Sequence, residues 1–249
     1  AIRGREDAPD IWYSFGSPLV PSTVYVFNPL TKKSDGFEVA TPAVDTSLFE
    51  TKALFATSRD GARIPFFLTA RKNMALDGSN PTMLYGYGGF SISTLTTYRQ
   101  DVPAWLERGG VWGTASLRGG AEYGEAWHRA GMLEKKQNVF DDFIAVAEQL
   151  IRDKYTSPGR LGIMGGSNGG LLVGAVMEQR PDLFALALPA VGVMDMLRYD
   201  KFTGGALWTT EYGSASNPAQ FPFLIRYSPV HNLKPGTCYP ATLITTADH

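Results

Sequence analysis

Few conformations are open to the six residues Gly165-Gly166-Ser167-Asn168-Gly169-Gly170. An apolar run over 160–164 precedes them and a helix-like run over 171–180 follows. Strand, sharp turn and helix, in that order, make the pattern G-x-S-x-G a nucleophile elbow. The turn at Ser167 is expected to be strained, and a Cβ at Gly165 or Gly169 would collide with the neighbouring strand or helix. Such a corner exposes the serine hydroxyl at the carboxyl edge of a sheet and leaves the Asn168 N–H at a helix start, able to face a developing oxyanion. A Gly-rich loop whose serine caps the helix is the competing explanation, and the strand and helix on the correct sides favour the elbow.

The 249 residues suffice for one large domain, or one domain with a piece of another. A hydrophobic content of 44%, a charged content of 19% and a net charge of -1 describe an ordinary globular chain with no electrostatic footprint for nucleic acid. No apolar run reaches bilayer-spanning length, so no membrane partner is expected. The one cysteine, Cys238, has no partner for an internal disulfide and reads as structural. A start at Ala1 and a stop at His249 directly after a strand suggest a fragment of something longer.

Two styles of sequence divide the chain. Residues 1–46 hold aromatic and β-branched runs over 11–15 and 23–27, separated by Gly and Pro, with Asn28-Pro29 and Asp35-Gly36 at the exit. This predicts antiparallel strands left over from a larger all-β unit. Residues 47–249 open with a hairpin about Asp60-Gly61, in which Pro65 marks an edge strand or a strand beginning. Buried strands alternating with helices then predict a mostly parallel sheet with helices on both faces. The strands are expected over 82–85, 110–117, 160–164, 184–190 and 241–246. The clearest amphipathic helix runs from 138 to 154, with Phe140, Phe143, Ile144, Ala147, Leu150 and Ile151 on one stripe. Asn138 is expected to cap it, and Asp141 and Asp142 to favour its positive end.

The loop Gly86-Tyr87-Gly88-Gly89-Phe90 follows an early strand, where an α/β-hydrolase keeps the second half of its oxyanion hole, and Tyr87 can offer a phenolic O–H there. Arg118 and Glu122 read as a loop-stabilising ion pair. His128 precedes Ser167 and is read as structural or exposed, while His231 precedes the last strand and is read as structural. A serine needs a histidine to take its proton and a carboxylate to orient that histidine. His249 follows Asp248 too closely to be a separate base. The expectation is therefore a nucleophile and oxyanion hole without a base inside this chain.

Nine blocks in one order are similar to the prolyl oligopeptidases, serine peptidases that cleave short peptides after proline. They are Tyr85-Gly-Tyr-Gly-Gly-Phe90, Arg118-Gly-Gly-Ala-Glu-Tyr-Gly124, Lys136-Gln-Asn-Val-Phe-Asp-Asp142, Gly165-Gly-Ser-Asn-Gly-Gly170, Gln179-Arg-Pro-Asp-Leu-Phe184, Val191-Gly-Val-Met-Asp-Met196, Trp208-Thr-Thr-Glu-Tyr-Gly213, Tyr227-Ser-Pro-Val-His-Asn232 and Thr246-Ala-Asp-His249. The resemblance implies that Ser167 is the nucleophile and that the Tyr87 hydroxyl and Asn168 N–H form the oxyanion hole. It implies that Trp208 stacks on the substrate proline, with Phe90, Val193 and Tyr212 lining the same pocket. A rigid apolar ring is well buried by flat aromatic surfaces.

The family pairs an α/β-hydrolase domain with a β-propeller, so residues 1–46 resemble the last propeller strands and the return to the hydrolase. Its catalytic aspartate comes immediately after the Ala-Asp-His block and its histidine later still, which implies that 249 residues alone turn over essentially no substrate. Short proline-containing peptides are the expected partners of a monomeric full-length protein. No cofactor and no metal are expected. The cysteine usage fits the cytoplasm, with the bacterial periplasm as the alternative. An esterase on the same fold and a catalytically inactive binding protein are the rival readings.

Overall fold

The computed structural model describes residues 2–5, 7, 9–42 and 44–247. Its β-rich opening is a four-stranded antiparallel sheet, β1 (Ile2–Gly4), β2 (Ile11–Ser17), β3 (Val20–Asn28) and β4 (Lys33–Glu38), paired in chain order. The two central strands are those that carry aromatic and β-branched residues, and Tyr13 stacks on Tyr25 across them at 5.2 Å. The outer strands differ from expectation. The β4 sequence is exposed throughout and shows no apolar alternation, so only pairing with β3 defines it. Asp35-Gly36, expected to mark an exit turn, lies inside β4, where the register with β3 shifts at a bulge.

From Phe49 onward a second sheet of seven strands is built. In chain order these are β5 (Phe49–Thr57), β6 (Arg63–Arg71), β7 (Thr82–Tyr85), β8 (Val111–Ala115), β9 (Leu161–Gly166), β10 (Leu186–Ala190) and β11 (Ala241–Thr242). Their spatial order is β11-β10-β9-β7-β8-β6-β5. The strands from β11 to β8 are parallel, whereas β6 runs antiparallel to β8 and β5 to β6. The sheet is therefore mixed, with the parallel part holding the elbow strand at its middle.

Pro65 lies near the beginning of an interior strand, the second of its two expected places: its carbonyl accepts from the Ser116 N–H at 3.0 Å, and strand pairing of β6 with β8 starts at Phe66. The last strand is two residues long, and Thr245 touches Ala190 only through an isolated bridge.

Side chains leave the sheet on alternate faces. Leu68, Leu84 and Ile163 meet helices α3 (Gln137–Arg152) and α4 (Asn168–Gln179) in the main core. Met83 and Trp112 meet Val102 and Leu106 of α1 (Asp101–Glu107) on the other side, with Leu19 of the turn between β2 and β3 packed against them. Helices thus cover both faces, and each fully buried Leu, Ile or Phe contributes about 1.5–3 kcal/mol.

In α3 the expected stripe is buried at Phe140, Phe143, Ala147 and Leu150, whereas Ile144 and Ile151 are half-buried. Asn138 does not cap this helix. It lies in the first turn and donates to the Ala130 carbonyl at 2.9 Å. Asp142 is not a dipole partner at the surface but is fully buried against Arg118.

Candidate active site

The β9 strand and helix α4 meet at Ser167, which takes φ 56° and ψ -118°. A non-glycine residue in this region stores strain of about 1–3 kcal/mol. Hydrogen bonds hold it there: its N–H donates to the Ala190 carbonyl at 2.9 Å, and its own carbonyl accepts from Gly170 at 2.9 Å. The glycines around it have steric reasons of unequal force. A Cβ on Gly165 would lie 2.4 Å from the Gly169 carbonyl oxygen, and one on Gly169 would lie 2.6 Å from that of Gly86. Ser167 occupies the N-cap position, yet its side chain makes no capping bond and is exposed. The capping explanation fails, and the hydroxyl is left for chemistry.

Loop 86–90 follows β7 and crosses in front of the elbow. Tyr87 is half-buried. Burial raises its phenol above the ordinary tyrosine range, an effect partly offset by the approach of the Ser167 side chain. The phenol therefore stays protonated and able to donate. Asn168, as the first residue of α4, has an N–H with no acceptor four residues back within the helix. Two donors on different segments thus flank one exposed hydroxyl, a geometry suited to an oxygen that gains negative charge as Ser167 bonds to its carbon.

Against the first turn of the elbow helix, where Tyr212 reaches Asn168, lies an aromatic cluster. Phe90, at φ 58°, meets Tyr212 edge-on at 5.4 Å. Tyr212 meets Tyr199 edge-on at 5.3 Å, and Tyr199 stacks on Trp208 at 6.4 Å. Phe90, Val193 and Trp208 are half-buried against the main core. Tyr212 departs from the expected lining role: it is 0% exposed, and its hydroxyl donates to Asn168 Oδ1 at 2.8 Å. It supports Phe90 from behind, because the phenol is long enough to reach the elbow helix beneath the loop.

The remaining candidates are engaged elsewhere. Arg118 pairs with Asp142 at 2.6 Å and with Asp60, not with Glu122. Burial opposes its charge, but the carboxylates of Asp142 and Asp60 outweigh that and raise its pKa. Glu122 instead accepts from the Thr94 N–H at 2.7 Å, and burial raises its pKa. His231 Nδ1 lies 2.8 Å from Ser228 Oγ, which accepts from the Met196 N–H, a structural arrangement as expected. His128, expected to be structural or exposed, is structural: it is half-buried and its Nε2 lies 2.8 Å from Glu211 Oε2. Cys238 is exposed and free. Asp248 and His249 lie outside the described residues. Among the described residues no group of three or more His, Cys, Asp or Glu side chains could hold a metal ion.

Two buried charges were missed by sequence reasoning, Lys136 and Glu211. Lys136 Nζ donates to the Gly88 carbonyl at 2.8 Å and to Asn168 Oδ1 at 3.0 Å. Glu211 Oε1 accepts from the Phe90 N–H at 2.9 Å and lies 3.8 Å from Lys136 Nζ. Complete burial lowers the Lys136 pKa to about 8, with Glu211 opposing the shift. Both sit in short blocks already singled out, but a lysine before an amphipathic helix and an acid between aromatics carry no periodic signal that turns them inward.

A family model described as "Prolyl oligopeptidase family" matches residues 96–249. The chain is 44% identical over 247 residues to the prolyl endopeptidase of Elizabethkingia meningoseptica, covering 99% of this chain and 35% of that protein. It is 41% identical over 246 residues to the prolyl endopeptidase of Dictyostelium discoideum, covering 96% of this chain and 32% of that protein. The chain thus spans about a third of the length of the curated relatives it matches. Among solved structures, a prolyl endopeptidase studied for inter-domain dynamics superposes with a TM-score of 0.95 at 46% identity, over 100% of this chain and 37% of that one. Prolyl oligopeptidase B from Galerina marginata, bound to a 25mer macrocyclization substrate, gives 0.93 at 36% identity, over 98% of this chain and 35% of that one.

Proposed function

This chain belongs to the prolyl oligopeptidase family of serine peptidases, and on that premise we propose that it carries the nucleophile of an endopeptidase cleaving short peptides on the carboxyl side of proline. Ser167 Oγ attacks the carbonyl carbon of the proline residue, the C–N bond breaks, the amine leaves with a proton, and water then hydrolyses the ester formed on Ser167. The Tyr87 hydroxyl and the Asn168 N–H take up the charge on the carbonyl oxygen during each attack. Trp208 stacks on the proline ring, with Phe90 and Val193 beside it and Tyr212 behind.

The observation that carries this reading is the exposed hydroxyl of Ser167 at a strained N-cap, engaged by the Tyr87 phenol and not by the helix it precedes. His128 and His231 are occupied by Glu211 and Ser228. The proton-accepting histidine and its aspartate belong, on the family's pattern, beyond His249. The four-stranded sheet is proposed to be the end of a β-propeller, and residues 47–249 the hydrolase domain. A monomeric protein acting in the cytoplasm, with the bacterial periplasm as the alternative, completes the proposal.

The test uses the full-length protein and fluorogenic peptides with proline or alanine before the scissile bond. Cleavage confined to the proline peptide, and lost in Ser167→Ala, supports the reading. Equal cleavage of both peptides, or activity retained without Ser167, overturns it.

A further inference from the structure

Under the oxyanion loop lie two opposite charges that no sequence motif demanded. Lys136 is 1% exposed and Glu211 3%. Dehydrating an ammonium and a carboxylate costs several kcal/mol each, and such pairs are often replaceable by apolar residues without loss of stability. Their contacts suggest a different use.

Asn168 is the hub. A side-chain amide can be turned either way round, and its neighbours decide which way. An ammonium only donates, so Lys136 Nζ, 3.0 Å away, forces the amide oxygen to its side. The amide nitrogen is thereby aimed at the Tyr87 carbonyl, to which it donates at 2.5 Å. Tyr212 alone could not enforce this, because its hydroxyl accepts as readily as it donates. With the amide reversed, two carbonyl oxygens would face each other across that gap. Lys136 also holds the Gly88 carbonyl, and Glu211 holds the Phe90 N–H at the far end of the same loop.

We propose that Lys136 and Glu211 are positioning residues that set the spacing of the two oxyanion donors, Lys136 through the orientation of the Asn168 amide and Glu211 through the end of loop 86–90. The inference rests on the peptidase reading above. It predicts selective loss in the step where negative charge develops, because small misplacements of a preorganised donor are costly there.

In the full-length protein, Lys136→Met is expected to lower kcat about 10- to 100-fold with KM within about twofold, while the denaturation midpoint holds or rises. Labelling of Ser167 by a fluorophosphonate, whose P=O enters the same hole, should slow by a similar factor. In a Tyr87→Phe background the same substitution should cost clearly less. Glu211→Met is close in length but has no carboxylate to accept from the Phe90 N–H, and serves if the Lys136 variant does not fold; it should show the same split. Wild-type kcat and labelling in both variants, a loss shared between kcat and KM with a lowered midpoint, or full additivity with Tyr87→Phe would overturn the inference alone. If the parent protein is not labelled at Ser167, the peptidase reading falls first and this inference with it.

Discussion

Asn168 donates its side-chain N–H to the main-chain carbonyl of Tyr87 across 2.5 Å, which joins the first turn of the elbow helix to a loop 81 residues earlier. One residue thus supplies a backbone donor to the candidate oxyanion hole and ties down the loop bearing the other donor. The two segments that carry the candidate donors are joined by a hydrogen bond.

Removing the phenolic O–H should therefore act on rate rather than affinity. Tyr87→Phe is expected to lower kcat about 100- to 1,000-fold with little change in KM, measured on a proline-containing fluorogenic peptide with the full-length protein. An unchanged kcat would remove Tyr87 from the hole.

The glycines of the elbow are not equivalent. Gly165→Ala places a Cβ 2.4 Å from backbone and should destabilise by about 1–3 kcal/mol or more. Gly166→Ala meets nothing nearer than 3.8 Å and should fold normally. Denaturant midpoints of the two variants give the comparison.

Trp208 presents a half-buried indole stacked on Tyr199. If it receives the proline ring, Trp208→Ala should lower kcat/KM for a proline peptide about 10-fold or more. Hydrolysis of a simple ester without a ring should change little.

Arg118 anchors Asp142, which has no exposed surface, and Asp60, whose side chain is 48% exposed. Arg118→Leu strands a buried carboxylate and should cost about 3–5 kcal/mol in denaturant unfolding. Asp60→Asn should cost under about 1 kcal/mol, because water can replace the lost partner.

Glu178, half-buried at the end of α4, has a pKa pushed up to about 8 by burial, against an unfolded value of 4.5. Between those values the folded chain holds the proton that the unfolded chain has released. This group's contribution is favourable below pH 4.5 and is lost as pH rises toward 8. Glu178→Gln should leave stability unchanged at pH 4 and raise it at pH 8, read from denaturant midpoints at the two pH values.

Local pattern carried a large part of this fold. The strands about Leu84 and Ile163 and the helix about Phe143 announce themselves by apolar runs and three- or four-residue recurrence, because burial imposes those periods on any sheet covered by helices. The elbow was equally legible, since a strained turn narrows the residue types at 165, 167 and 169. What escaped was set by partners far apart in the chain. The exposed β4 exists only because β3 offers unpaired backbone.

The site divides along the same line. Ser167 was named from sequence because a strained elbow admits few residue types, Asn168 because the residue after the nucleophile starts the helix, and Tyr87 because its Gly-rich loop follows an early strand and matches the family's pattern. The inward turn of Lys136 and Glu211, the reassignment of Arg118 from Glu122 to Asp142, and the withdrawal of Tyr212 behind Phe90 were decided only on folding. A charge or a phenol carries no sign in the sequence of which way it will face. Its place is chosen by whichever unsatisfied donor or acceptor the packed elements bring within reach, and dehydration makes that choice binding.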